Sequence, residues 1–265
     1  ESPAATMSNP MDFVSPTEHV ELPSRGKGYP QGHPLYNQET IEIKYMTAKE
    51  EDILSSRSLL KKGLAIERLI ESVICDRNIS AKELLVGDRN SILIAARRSA
   101  YGNIYSTKVT CPSCNSVGEH DFDLNESSFY EGEGYEEYNI ETTPQGLFKV
   151  ILPITAFVIE YRLLKGQDEL EMVKRAQKVA KQKVMEQNVS DQLRKFIVSV
   201  NGYTELKVIN HAIKNLPAKD SIFLRSAYKA SSPDIKISDD FSCSSCGFEQ
   251  ELEVPFGADF FWPNR

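Results

Sequence analysis

The chain has 265 residues, 40% hydrophobic and 26% charged, enough to bury a sizeable core in one or two domains. Its net charge of -7 disfavours a general nucleic-acid coat, which needs a concentrated positive surface. No run reaches the roughly 18–20 apolar residues of a membrane span, and the opening ESPAATMSNPMDF lacks the basic-then-apolar order of a secretory signal, so the five cysteines are expected as reduced thiols in a protein made in the cytoplasm.

In chain order, residues 1–40 read as an extended N-terminal arm. A polar, Pro-bearing start leads into the Pro/Gly-rich LPSRGKGYPQGHPLYN (22–37), which contains no phosphate-loop motif. The first half, 41–125, opens on ETIEIKYM, which alternates like a half-buried strand. Thr47 and Glu50 have capping-box spacing and open a helix into EEDILSSRSLL. LAIERLIESVI has helical periodicity, and Cys75 beside it reads as a buried small hydrophobe. Ser80 and Glu83 repeat the capping signature before LLVGDRNSILIAARRSAYG, a helix that Gly102 can stop. IYSTKVT and GEHDFDL flank Cys111-Pro112-Ser113-Cys114 as strand, turn and strand.

The acidic, Gly/Tyr-rich stretch 126–146 reads as a linker. The second half, 147–255, begins with two strands, FKVILPI and FVIEYRLL. The next helix carries Asp168, Glu169 and Glu171 at its front and Lys174, Arg175, Lys178, Lys181 and Lys183 later, an order that suits the helix dipole. Its narrow apolar stripe makes a solvated surface helix the simpler reading and a basic docking face for an acidic partner the sharper one. SDQLRKFIVSV and TELKVINHAIKNL read as shorter helices. PDIKISDDFS and GFEQELEVP flank Cys243-Ser244-Ser245-Cys246 as a second strand, turn and strand. The tail, 256–265, gathers Phe256, Phe260, Phe261 and Trp262, which either fold back onto the ribbon or anchor in a neighbouring subunit.

Two C-x-x-C turns match a closed tetrahedral Zn2+ site with Cys111, Cys114, Cys243 and Cys246 as ligands, because zinc favours four soft donors and each turn presents two on one side. Two such hairpins sharing one structural zinc per chain make a zinc ribbon. The offset of 129 positions from Cys114 to Cys243 costs about 4 kcal/mol of loop closure, less than the ~10–16 kcal/mol a structural zinc returns in small sites. A reducing compartment disfavours a disulfide network. A thioredoxin-type redox centre needs a helix after its C-x-x-C, and four thiolates leave no open position for a catalytic water. His33, His120 and His211 lie in no ligand constellation.

The paired turns also prompt a search for a repeat. Asp88 and Asp220 each precede the first cysteine of their pair by 23 residues, and at the same offset of 132 Leu84 falls on Leu216 and Ile92 on Leu224. IKYMTAKEEDIL at 43–54 matches IEYRLLKGQDEL at 159–170 at an offset of 116. The difference implies about 16 extra residues in the second half, near KRAQKVAKQKVMEQN. The expected fold is α+β, with two related strand–helices–strand halves joined by a four-cysteine zinc ribbon.

No nucleophile elbow, H-E-x-x-H, phosphate loop or catalytic carboxylate pair beside a histidine is found, so neither an enzyme nor a small-molecule substrate is expected. A zinc-ribbon nucleic-acid or regulatory module is the alternative, against which stand the acidic strands around both turns, with Glu119, Asp121, Asp123, Glu249, Glu251 and Glu253. The string ELPSRGKGYPQGHPLYNQETIEIKYMTAKEEDIL, followed by LLVGDRNSILIAARRSAYG, CPSC and the closing C-x-x-C, resembles the baseplate protein family of T-even-like contractile-tailed bacteriophages, from about Val20 to Val254. The resemblance implies a virion component or assembly factor at the hub of the tail baseplate, with other baseplate and tail subunits as partners. It maps the family's knuckle cysteines onto Cys111, Cys114, Cys243 and Cys246.

Overall fold

The computed structural model describes residues 14–182, 188–254 and 258–261, with side chains described up to Arg175, again from Val189, and at Phe260 and Phe261 in the last turn. Alternating Ile41 and Ile43 bury one face of Thr40–Lys44 (β2), which pairs antiparallel with Thr17–Glu21 (β1). Part of the segment expected as an extended arm is therefore folded. Beyond β1, the loop to β2 buries Leu22, Tyr29 and Leu35 in the core. TEHVE is too polar to announce a strand; pairing with β2 makes it one.

Thr47 opens Ala48–Ser55 (α1) as its capping box predicts, its N–H reaching the Glu50 carboxylate at 2.9 Å. The expected continuous helix breaks at Ser56, which is extended, and resumes as Arg57–Lys62 (α2). Ala65–Val73 (α3) buries Leu69, Ile70 and Val73, and Ile74 after it bridges Ile43 of β2. The second capping signature forms only a turn, with the Glu83 N–H on the Ser80 carbonyl. Val86–Tyr101 (α4) starts beyond it and stops at Gly102, whose positive φ of 84° glycine adopts without the cost a side chain would add.

Ile104–Thr110 (β3) and Val117–Asp123 (β4) form the first cysteine hairpin. The stretch read as a linker contributes Ser127–Tyr130 (β5) and Glu141–Thr142 (β6). Phe148–Ile151 (β7) and Val158–Tyr161 (β8) follow, then Gly166–Gln182 (α5) and Asn188–Phe196 (α6). The sequence extends α6 through IVSV, but Ile197–Val200 is a strand (β9) on the edge of β8. Its β-branched residues fit a pleated surface better than a helix. Leu206–Asn215 (α7) and Ala218–Ser231 (α8) lead to Asp234–Ser242 (β10) and Glu249–Glu253 (β11), the second cysteine hairpin, and a final 3-10 turn, Ala258–Phe261. Among the described residues the sheets run β1-β2, β3-β4, β6-β7-β8-β9 and β11-β10-β5.

The halves share one order, a hairpin, helices, a helix that leads into the cysteine hairpin, and that hairpin. Both first hairpins turn at Leu-Pro: the Leu22 N–H meets the Glu39 carbonyl, and the Leu152 N–H meets that of Phe157. Both turns are tied to the third residue of a later helix. Asp88 on α4 accepts the Ser24 N–H at 3.0 Å, the Ser24 hydroxyl at 2.7 Å and the Tyr29 hydroxyl at 2.7 Å. Asp220 on α8 accepts the N–H groups of Ile154 at 2.8 Å and Thr155 at 2.9 Å, and the Thr155 hydroxyl at 2.7 Å. A carboxylate at a helix N-terminus also meets the positive end of the dipole. The Ile74 bridge to β2 corresponds to β9 on β8. The extra length of the second half is thus shared between the longer α5 and α7, rather than concentrated in one insert.

Two cores result. One gathers β1, β2, α1, α3 and α4 with Tyr105 and Phe122 of the first cysteine hairpin. It also takes Ile235, Ile237 and Val254 from the second, so that hairpin packs with the opposite half of the sequence. The other core lies between the β6–β9 sheet and α6 to α8, around Ile159, Tyr161, Phe196 and Leu224. Buried Arg89 bridges the halves, 2.9 Å from Glu67 and 3.2 Å from Glu169.

Candidate metal centre

The two cysteine turns have the same build. The Cys111 N–H donates to the Ser116 carbonyl and the Cys243 N–H to that of Phe248, both at 2.8 Å. Asn115 donates back to the Cys111 carbonyl at 3.0 Å, and Gly247 to that of Cys243 at 2.8 Å. Asn115 (φ 58°) and Gly247 (φ 69°) are both left-handed, which reverses the chain just after the second cysteine of each pair. Asn and Gly are the residues that adopt this conformation at least cost.

The hairpins bring all four sulfurs together. The Sγ atoms of Cys111, Cys114, Cys243 and Cys246 lie within 4.8 Å of one another and could hold a metal ion. Across the hairpins Cys111 lies 3.8 Å from Cys246, and Cys114 lies 3.7 Å from Cys243. All four are free thiols, so the disulfide alternative is not the one realised. Cys111 and Cys243 are buried beside Phe241, with Val109, Phe248 and Leu252 packed against them, while Cys114 and Cys246 face solvent.

Ser116, which sequence reasoning passed over, sits between the turns. Its hydroxyl lies 3.0 Å from the Cys114 sulfur and 3.3 Å from that of Cys243. That hydroxyl, with the backbone N–H groups of Ser245 and Cys246, pulls the Cys243 thiol down to about 6. Ser116 lowers Cys114 as well. Cys246 accepts a backbone hydrogen bond at Phe248 that lowers it, yet the Cys114 and Cys243 thiols drive it up to about 11. The cluster therefore favours thiolate at some sulfurs and resists it at others, as expected of like charges gathered in one place.

No histidine joins the four sulfurs. His120 packs edge-on against Phe122 and Phe241, 3.5 Å from Asp239. His33 stacks on Tyr29 and faces Glu83 at 3.6 Å, and His211 contacts Asn215. Cys75 stands apart, half-buried, its thiol raised by desolvation. On α5, Arg175 pairs with Asp191 at 2.6 Å and Lys195 of α6 pairs with Glu171, so part of the basic helix is engaged within the chain. The side chains of Lys178, Lys181 and Lys183 lie outside the described residues, as do Phe256 and Trp262. Phe260 and Phe261 fold back into the chain's own first core.

Among the described residues no helix is long and apolar enough to cross a membrane. Comparison with curated proteins and with solved structures finds no match. The family described as T4 bacteriophage base plate protein matches residues 15–262, a span that takes in both cores and both cysteine hairpins. With nearly its whole length matched, this chain belongs to the T4 bacteriophage base plate protein family.

Proposed function

We propose that the chain is a structural subunit at the hub of a contractile phage tail baseplate, and that it acts by docking neighbouring tail subunits rather than by catalysis. In this reading Cys111, Cys114, Cys243 and Cys246 hold one Zn2+ that joins the two halves. The observation that carries it is the meeting of four thiols, from turns 129 positions apart, in a chain of the baseplate family. Tetrahedral zinc with Zn–S near 2.3 Å requires sulfurs about 3.8 Å apart, and the cross-hairpin separations of 3.8 and 3.7 Å agree. A four-thiolate set is closed to water, which favours a structural role.

A nucleic-acid role finds less support. Asp240, Glu249, Glu251 and Glu253 share the outward face of the second hairpin, and Glu119 and Asp121 lie outward on the first. Such a face repels phosphate, and retention on heparin at low salt would favour the rival module. Elemental analysis of purified protein should give one zinc per chain, falling to a negligible level when Cys111 and Cys243 are both changed to Ser. A metal-free native chain whose fold ignores chelators would remove the zinc centre. Reconstruction of an intact particle tests the hub position separately.

A further inference from the structure

Arg97 is 1% exposed, yet among the described residues its Nε and Nη1 have no hydrogen-bond partner. Its neighbours on α4 do find carboxylates: Arg89 pairs with Glu67 and Glu169, and Arg98 reaches Glu18 at 3.5 Å. Arg97 instead lies against three rings, Tyr101 at 5.1 Å, Tyr105 at 5.5 Å and Phe260 at 5.9 Å. Tyr101 and Tyr105 belong to α4 and β3. Phe260 belongs to the four-residue turn Ala258–Phe261, the last described element, and packs edge-on against Tyr105 at 5.1 Å.

Ring faces offset only part of the cost of taking a guanidinium out of water, because they supply no acceptor for its N–H groups. A planar fork of donors between two tyrosine faces is the environment that carboxylates complete, by charge and by paired hydrogen bonds. The cover over it is a short turn rather than a strand or long helix.

We propose that Arg97, Tyr101 and Tyr105 form a carboxylate socket, that the aromatic turn at Phe260 is a displaceable plug over it, and that the occupant is a segment of a neighbouring baseplate subunit bearing an acidic residue beside an aromatic one. The acidic group pairs with the Arg97 guanidinium and the aromatic ring takes the place of Phe260. Only the identity of the occupant rests on the docking role proposed above; the socket itself is tested without it.

The probe is 3-phenylpropionate, an aromatic ring carrying a carboxylate, with its methyl ester as the uncharged control. Binding to the full chain is followed at the Arg97 Nε resonance and by titration. Phe260→Ala should bind the acid about tenfold more tightly than the native chain, where the plug competes. The ester should bind at least tenfold more weakly than the acid, and adding Arg97→Met to Phe260→Ala should abolish the preference. Phe260→Leu, which keeps bulk without the ring, provides the opened socket should the alanine variant not fold. Equal binding of acid and ester, binding that survives Arg97→Met, or no binding to a folded opened variant would each overturn the socket.

Discussion

Glu50 is fully buried, and burial alone would raise its pKa. Hydrogen bonds from the Ser72 hydroxyl at 2.5 Å, from Thr47 and from Lys44 instead hold it down to about 2. A depressed carboxylate contributes stability that is complete above its unfolded pKa of about 4.3 and is lost as pH falls through the folded value. Acidification from about pH 5 to pH 2 should therefore remove about 3 kcal/mol at this residue. Urea midpoints across that range should show a clearly shallower acid dependence for Glu50→Gln; identical slopes would assign the loss to other groups. Asp88 and Asp220 show how context overrides position. Burial raises Asp88 despite its three donors, whereas at Asp220 the Thr155 and Ile154 hydrogen bonds outweigh burial and lower it.

At the scale of elements, the approach of α4 to β10 depends on one missing side chain. Gly87 lies in the first turn of α4, where alanine would ordinarily favour the helix by about 1 kcal/mol. A Cβ there would sit 2.1 Å from the Pro233 carbonyl oxygen and 2.8 Å from the Asp234 Cα, and backbone cannot swing aside as a side chain can. Gly87→Ala should thus destabilise by about 2–3 kcal/mol. Gly118→Ala on β4, where a Cβ meets nothing within 4 Å, should stay within about 0.5 kcal/mol of the native chain. Thermal unfolding of the pair decides it: a Gly87→Ala chain as stable as the native one would mean that the α4–β10 contact is loose.

Across the whole molecule, the two cores should respond differently to loss of metal. Residues of both cysteine hairpins enter the first core, and among the described residues none enters the second. Chelation should therefore raise amide exchange across 104–123 and 234–253 and spread into the first core, while the amides of Ile159 and Val200 keep their protection. Uniform loss of protection would show the two cores to be one cooperative unit. Arg89, set between Glu67 and Glu169, ties the halves together independently of the sulfurs.

Much of this organisation is written in local sequence. The four cysteines, the alternating strands around them, the Thr47–Glu50 cap and the Gly102 stop depend on residue type and local spacing, and the Asp88–Asp220 correspondence on a repeat in the sequence itself; such signals survive without tertiary context. Partners far away in sequence decided the rest. TEHVE becomes β1 only through β2, IVSV becomes β9 only against β8, and the stretch read as a linker becomes β5 only along β10. Strand identity in short polar or ambiguous segments comes from the hydrogen bonds of a neighbour, which sequence does not display. Sequence likewise set four thiols in two pairs, but only folding determined that both hairpins rest on one core, that Ser116 stands between them, and that Arg97 is shut beneath Phe260. Those contacts cross long stretches of chain, where packing rather than local preference selects which side chains meet.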